Sequence, residues 1–367
     1  MYQKIRNLLM GILAAVWVAL TALAWFTPAK DISDTERRAL AQFPSVTGNS
    51  LLSGGFMKDF ETYTLDQFPG RDTLRQIKAL FHYNVLNQQD NNGIYLVNGY
   101  AAKLEYPLNT QGLDHALKRF NWVYENLLAE TGSPVFCAVI PDKNYYLASE
   151  KGCPVMDYDL LFSTVAQQMD WAQHISLTDT LQAEDYYRTD LHWRQEALLP
   201  TAQKLCRALG VTPPAEEDYS KNTLDRPFYG VYHGQAALPL APEDMVILES
   251  PLLDSCRTYN YETGSYTGIY DLEKSNGKDQ YDVYLSGPQS LLRIENPNAD
   301  TEKELVIFRD SFASSIAPLL VHGYKTVTLV DIRYISPQLL DKYITLDGQD
   351  ILFLYSTSVL NNGSQLK

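Results

Sequence analysis

The stretch ELVIFRDSFASS, residues 304–315, decides how this chain is read. Four apolar residues, Leu305 to Phe308, suit a strand buried on both faces. They deliver an Asp-Ser pair, Asp310-Ser311, to what reads as a helix start near Phe312. A serine at such a turn has two readings. It caps the helix, or it presents its hydroxyl where backbone N–H groups stand ready to hold an oxyanion. The two are compatible, and Ser311 is read as both.

Similar strands lie on either side of this stretch. SPVFCAVIP (133–141) predicts a buried strand ending at Pro141, and DLLFSTVAQQM (159–169) a helix with Leu160, Leu161, Val165 and Met169 as its apolar face. HISLTD (174–179) predicts a short strand ending at Asp179. RQEALLPTAQKLCRALG (194–210) predicts a helix closed by Gly210, with a kink or break near Pro200. After residue 300 the rhythm repeats as ELVIF, a helix, KTVTLVDI (325–332), a helix near SPQLLDKYI (336–344), and DILFLY (350–355). Strands alternating with helices imply a mainly parallel sheet covered on both faces. Between these halves, residues 211–300 are rich in Tyr, Pro, Gly and Asp, with turn signals at TGS, SNGKD and SGP. That segment reads as an irregular, β-rich insertion.

In a parallel α/β sheet, ligands bind where strands end. Three polar loops fall at such ends: TDLHW (189–193), RDSF (309–312) and YSTS (355–358). Within the first, Asp190 can curl back onto one nitrogen of His192 and leave the other free to take a serine proton. Alternatively, Asp190 caps the helix after Trp193, and His192 is a partly buried histidine with no role in chemistry.

These blocks resemble SGNH-type esterases and acyltransferases, in which strand, Asp-Ser and helix form the first block and the Asp-His loop the last. Here the Asp-His half precedes the serine half, the order of a circular permutation. In this the chain resembles the DHHW family of exported proteins and the alginate O-acetylation proteins AlgJ and AlgX. DTERRALAQFPS (34–45) and SGGFMKDFETYTLDQFPGRD (53–72) resemble that group as well. The resemblance implies a three-layer, permuted SGNH-like fold with Ser311 as nucleophile, His192 as general base and Asp190 orienting it. It makes Arg333, in VDIRY, a candidate for oxyanion or substrate contact, or else a surface guanidinium at a strand end. Lys143, after the strand end, is expected as a solvated loop charge, and Asp179 as structural.

The chain also departs from the pattern. The usual serine block begins Gly-Asp-Ser, whereas Arg309 precedes Asp310 here. The Gly-x-Asn block that supplies oxyanion donors falls on Ser356, Thr357 and Ser358, leaving Ser356 and Ser358 as the candidate donors. The nucleophile and base are intact while the oxyanion hole is altered. Loss of one such donor costs about two to three orders of magnitude in rate.

The N-terminus bears on location. Lys4 and Arg6 precede an uncharged run from Leu8 to Phe26, long enough to cross a bilayer with the N-terminus inside. Residues 1–30 are read as an anchor that leaves an extracytoplasmic domain. The other reading is a signal cleaved near Ala22 and Ala24, giving a secreted protein. Residues 31–367 are then one SGNH-like domain: extension 31–131, Asp-His half 132–210, insertion 211–300, serine half 301–367. A polar stalk at 28–36 and a turn at Pro69-Gly70 mark the extension. The net charge of −14 over 367 residues argues against nucleic-acid binding. Four cysteines, Cys137, Cys153, Cys206 and Cys256, lack disulfide or metal spacing and read as unpaired thiols, the alternative being a Cys153–Cys256 pair in an oxidising compartment. No metal-ligand cluster or phosphate-binding glycine loop is present, so no cofactor is expected.

Three functions fit. The first is an extracytoplasmic O-acetyltransferase acting on a cell-surface polysaccharide. The resemblance implies a multi-pass membrane acyltransferase as its acyl donor, since acetyl-CoA is cytosolic. The second is a secreted carbohydrate acetylesterase using the same serine. The third is a catalytically silent polysaccharide-binding or assembly protein.

Overall fold

The structure, a computed structural model, describes residues 2–367 in two units. One runs to Asn92 and includes His233–Pro239; the other comprises Gly93–Tyr232 and Leu240–Lys367. The first unit begins with helix α1 (Tyr2–Phe26), whose mean hydropathy reaches 2.2 over an 18-residue window. It is long and apolar enough to cross a membrane. A short hairpin pairs Ile32–Ser33 with Arg38–Ala39, and helices α2 (Gly55–Asp66) and α3 (Arg71–Asn84) follow. Gly70 sits between them at φ 71°, the backbone that the Pro-Gly turn requires. Charges hold this unit inside: Arg38 donates to both oxygens of Asp66, while Arg71 and Arg75 pair with Glu36.

In the second unit, alternate residues of each strand face opposite cores. Strand β1 (Val135–Ile140) sends Phe136, Ala138 and Ile140 to one side and Val135 and Cys137 to the other. The other strands of the same sheet are β2 (Gln173–His174), β3 (Arg257–Asn260), β4 (Ser265–Thr267), β5 (Leu291–Glu295), β6 (Glu304–Arg309), β7 (Thr326–Val330) and β8 (Asp350–Ser356). Leu305 and Ile307 of β6 join the first core, and Val306 and Phe308 the second. The eight strands form one sheet in the order β4-β3-β5-β7-β6-β8-β1-β2. The five strands from β7 to β2 are parallel. The last strand of the chain thus pairs with the first strand of the sheet, joining the two halves as a permuted chain requires.

Helices cover both faces, giving the three-layer α/β architecture the sequence implies. In chain order they are α4 (Thr110–Val123), α5 (Lys143–Lys151), α6 (Tyr158–Gln168), α7 (Leu199–Ala208) and α8 (Ala313–Leu320). Residues of α7 and α8 fill the first core, and residues of α4 and α6 the second.

Several expectations need correcting. The strand predicted over 174–179 is only Gln173–His174, because the chain leaves the sheet edge after Ile175 donates to Cys137. The helix predicted over 194–210 is broken near Pro200, as expected, into a 3-10 turn, Gln195–Ala197, and α7; Pro200 sits in the first turn of α7, where its missing N–H leaves no bond unmade. Leu160 faces solvent, while Leu161, Val165 and Met169 are buried. The helix near 336–344 is a 3-10 segment, Pro337–Lys342. The segment 211–300 contributes β3, β4 and β5, which extend the sheet antiparallel beyond β7. All four cysteines are buried and none forms a disulfide.

Candidate active site

Strand β6 ends at Arg309, and the turn that follows carries Ser311, partly exposed, just before α8. The cap position of α8 falls on Phe312, with no side-chain cap, so the capping half of the Ser311 reading is wrong. Its hydroxyl instead lies 2.8 Å from Nε2 of His192. On the other side of that ring, Nδ1 lies 2.6 Å from Oδ1 of Asp190, which also accepts from the His192 amide. Asp190 Oδ2 accepts at 2.8 Å from the Val231 amide, the first of the short helix Val231–Ala236, so the carboxylate is held there and does not cap the helix after Trp193. A carboxylate on Nδ1 fixes the ring proton there and leaves Nε2 as the acceptor toward Ser311.

Asp310 is fully buried and fastens the serine turn. Its Oδ1 accepts from the Phe312 amide, and its Oδ2 from the Ser356 amide at 2.7 Å, at the end of the neighbouring strand β8. Among the described residues, the Ser311 amide donates to no protein acceptor. It is therefore the N–H at this turn left to meet a developing oxyanion.

The loop bearing Asp190 is gripped by opposite charges. The Lys143 ammonium donates to the carbonyls of Ala101, Tyr187 (2.8 Å) and Arg188 (3.3 Å). Glu243 accepts from the amides of Arg188 and Thr189 at 2.7 and 2.8 Å. Lys143 is only 3% exposed, which corrects the expectation of a solvated loop charge. Burial pushes its amine down to about 7, opposed by the nearby carboxylates of Asp190, Glu243 and Asp142. Asp142, which precedes it, accepts from the Asn144 amide, Thr357 and Tyr158, joining the ends of β1 and β8. Burial raises that carboxyl to about 6.

An aromatic box surrounds the imidazole. Tyr281 stacks on His192 with centroids 3.8 Å apart and planes 8° from parallel, and Phe312 meets the ring at 4.9 Å. The Tyr281 hydroxyl lies 2.8 Å from Ser315 Oγ, to which Trp193 Nε1 donates at 2.9 Å. Trp193 also donates to the Phe312 carbonyl, tying the histidine loop to the serine helix.

The remaining candidates have other partners. The Arg333 guanidinium is bound at two points by Asp331. Ser356 Oγ caps the helix Thr357–Asn361 by accepting from Val359, and Ser358 Oγ faces Glu105 at 3.4 Å. Asp179 pairs with Lys204 at the surface. Arg309, which stands where a glycine is usual, is buried beside the turn and donates to Ser314 Oγ and the Gln289 carbonyl. The sequence reading missed Tyr281, Glu243 and the role of Lys143. The strand-end phrase IPDK was the one signal for Lys143, and the irregular 211–300 segment hid the other two.

No protein-family model matches this sequence, and no curated protein matches it. Solved structures do match. A DHHW family protein from Eubacterium siraeum aligns over 75% of this chain and 94% of its own, with a TM-score of 0.60 and 21% identity. Bacillus cereus PatB1 aligns over 73% and 96%, with a TM-score of 0.57 and 18% identity, and its structure with a sulfonyl adduct matches at 0.55. The O-acetyltransferase domain of Pseudomonas putida AlgJ is more distant, with a TM-score of 0.46 and 14% identity over 73% and 92%. The chain has the SGNH-like fold that the DHHW family protein and PatB1 share.

Proposed function

We propose that this protein is a serine-dependent O-acetyltransferase that acts outside the cytoplasm on a cell-surface polysaccharide, held at the membrane by α1. The observation that carries the reading is the continuous relay from Asp190 through His192 to Ser311, 2.6 and 2.8 Å long. Nucleophile, base and orienting carboxylate are the parts acyl transfer needs, recognised by geometry and not by chain order. The acetyl group and the polysaccharide come from the resemblance to the alginate O-acetylation proteins. A membrane acyltransferase as donor comes from the same source.

In the first step, Ser311 Oγ attacks the acetyl carbonyl of the donor ester while its proton passes to His192 Nε2. The donor C–O bond breaks, and His192 returns the proton to the departing oxygen. In the second step, a sugar hydroxyl gives its proton to His192 and attacks the acetyl-serine; the acyl C–O bond to Ser311 breaks, and His192 returns the proton to Ser311 Oγ. Asp190 supports the imidazolium in both steps. The Ser311 amide is the oxyanion donor in this reading; Ser356 Oγ, which accepts from Val359, and Ser358 Oγ, which faces Glu105, are engaged elsewhere. Water replacing the sugar hydroxyl would make the same site an esterase.

The test is intact-protein mass spectrometry after exposure to an activated acetyl ester, with Ser311→Ala and His192→Ala alongside. An adduct present in the parent and absent from both variants supports the acyl-enzyme. Added polysaccharide fragments that gain acetyl faster than free acetate forms favour transfer over hydrolysis. An unlabelled parent, or equal labelling in all three proteins, sinks the enzyme reading and leaves the binding protein. A sulfonyl fluoride is a second probe, given the sulfonyl adduct known for PatB1.

A further inference from the structure

Helix α3 wears its apolar face outward. Leu74, Ile77, Phe81 and the following Val85 recur at helical spacing, and each is at least half exposed. On the adjoining face, roughly 100° round the helix, Arg71 and Arg75 turn inward onto Glu36. A surface helix of a water-soluble protein has the reverse arrangement, so this stripe is built to meet something apolar.

Its position in the chain says what. Five residues, Thr27 to Asp31, separate α1 from the first hairpin. Lys30 is pinned to Gln67 by two hydrogen bonds of 2.8 Å, from its amide to Oε1 and from Nε2 to its carbonyl. Gln67 lies four residues before α3, and α3 spans about 20 Å at helical rise. Five extended residues reach at most ~17 Å, so an inserted α1 keeps α3 close to the bilayer. Charge agrees. On the outer side of the membrane, residues 27–92 hold seven Lys/Arg against eight Asp/Glu and are close to neutral, whereas residues 93–367 hold twenty-one against thirty-six. This part alone escapes the repulsion an anionic lipid surface exerts on an acidic protein.

We infer that α3 is an interfacial helix whose Leu74–Ile77–Phe81–Val85 stripe lies in the headgroup region of the bilayer that α1 spans. The contact ties the unit to the membrane at a second point. It rests on insertion of α1 and is independent of the chemistry at Ser311.

The test uses the full chain, one copy per lipid nanodisc of phosphatidylcholine and phosphatidylglycerol. The four native cysteines are buried, so single exposed cysteines can be labelled selectively. An environment-sensitive fluorophore is placed at Ile77→Cys, Phe81→Cys, Val16→Cys within α1, and at the exposed Glu302→Cys in the acidic second unit. Nitroxide lipids labelled near the headgroup end of the acyl chain are expected to quench positions 77 and 81 several-fold more than 302. Position 16 should be quenched by nitroxides deeper in the chain. Quenching at 16 with positions 77 and 81 no different from 302 would overturn the inference and leave the stripe to a protein partner. A blue shift at 77 and 81 only in discs with two copies, without quenching, would overturn it in favour of self-association. Absence of quenching at 16 would remove the anchor itself, and the inference with it.

Discussion

The rings of His192 and Tyr281 lie parallel, 3.8 Å apart, with the tyrosine supplied by the segment between the two halves of the sheet. A flat aromatic over an imidazole restricts its rotation and favours the imidazolium that forms when Ser311 loses its proton. Such contacts contribute about 1 kcal/mol when partly desolvated. Tyr281→Leu is therefore expected to slow acetyl-adduct formation about fivefold. Tyr281→Phe keeps the ring and loses only the bond to Ser315, so its rate should stay close to the parent's. An unchanged rate in the leucine variant would show that Tyr281 only fills space.

Gly230 is where the chain passes closest to the Asp190 loop. A Cβ there would stand 2.3 Å from the Thr189 carbonyl group and 2.4 Å from Asp190 Cβ, closer than side chains approach. The Gly230 amide also donates to Thr189 Oγ1 at 2.9 Å, and the next amide, of Val231, holds Asp190 Oδ2. Gly230→Ala must push this segment off the carboxylate. We expect a stability loss of about 1–3 kcal/mol, read by denaturant titration. Adduct formation should fall more steeply than stability, because the displaced partner is the Asp190 clamp itself. Normal acylation in a variant that folds would count against this part of the proposal.

The serine half of the site was legible because its signals are local. Leu305 to Phe308 alternate between two cores, so the run reads as a doubly buried strand whose end must deliver Ser311 to a turn. The Asp190-x-His192 spacing is equally local, since a carboxylate two residues away can reach the imidazole only in a loop. What could not be read was whatever depends on distant segments. Tyr281 and Glu243 come from a region without periodicity, and their roles exist only once β3 to β5 have added to the sheet. Lys143 misled for a related reason. A lysine after a strand is solvated by default, and its burial follows from the hairpin Ile94–Val97/Tyr100–Lys103 presenting the Ala101 carbonyl to it. Pro200 was legible as a break, because a proline fits only the first turn of a helix: the apolar pattern from 194 divides there into a 3-10 turn and α7.

Lys143 gives the last prediction its sign. Burial holds its amine at about 7 in the folded protein, against an ordinary value near 10.5. Between these pH values the unfolded chain carries a proton that the folded protein gives up, so this group makes stability rise with pH. Below about 7 the lysine is charged in both states, and the full penalty of burying it applies. Lys143→Met removes the slope. Melting temperatures of parent and variant, measured from pH 6 to 10, should show the parent gaining on the variant through that window. Activity should behave in the opposite sense. The ammonium grips the Tyr187 and Arg188 carbonyls most strongly when charged, so Lys143→Met should slow acylation about tenfold at pH 6, and the gap should narrow by pH 9 as the parent loses that charge. Parallel melting curves would show that the three carbonyls and the Asp190 carboxylate keep Lys143 protonated throughout. An acylation gap unchanged from pH 6 to 9 would then be expected, and the lysine would be a fixed strut for the histidine loop and not a titrating one.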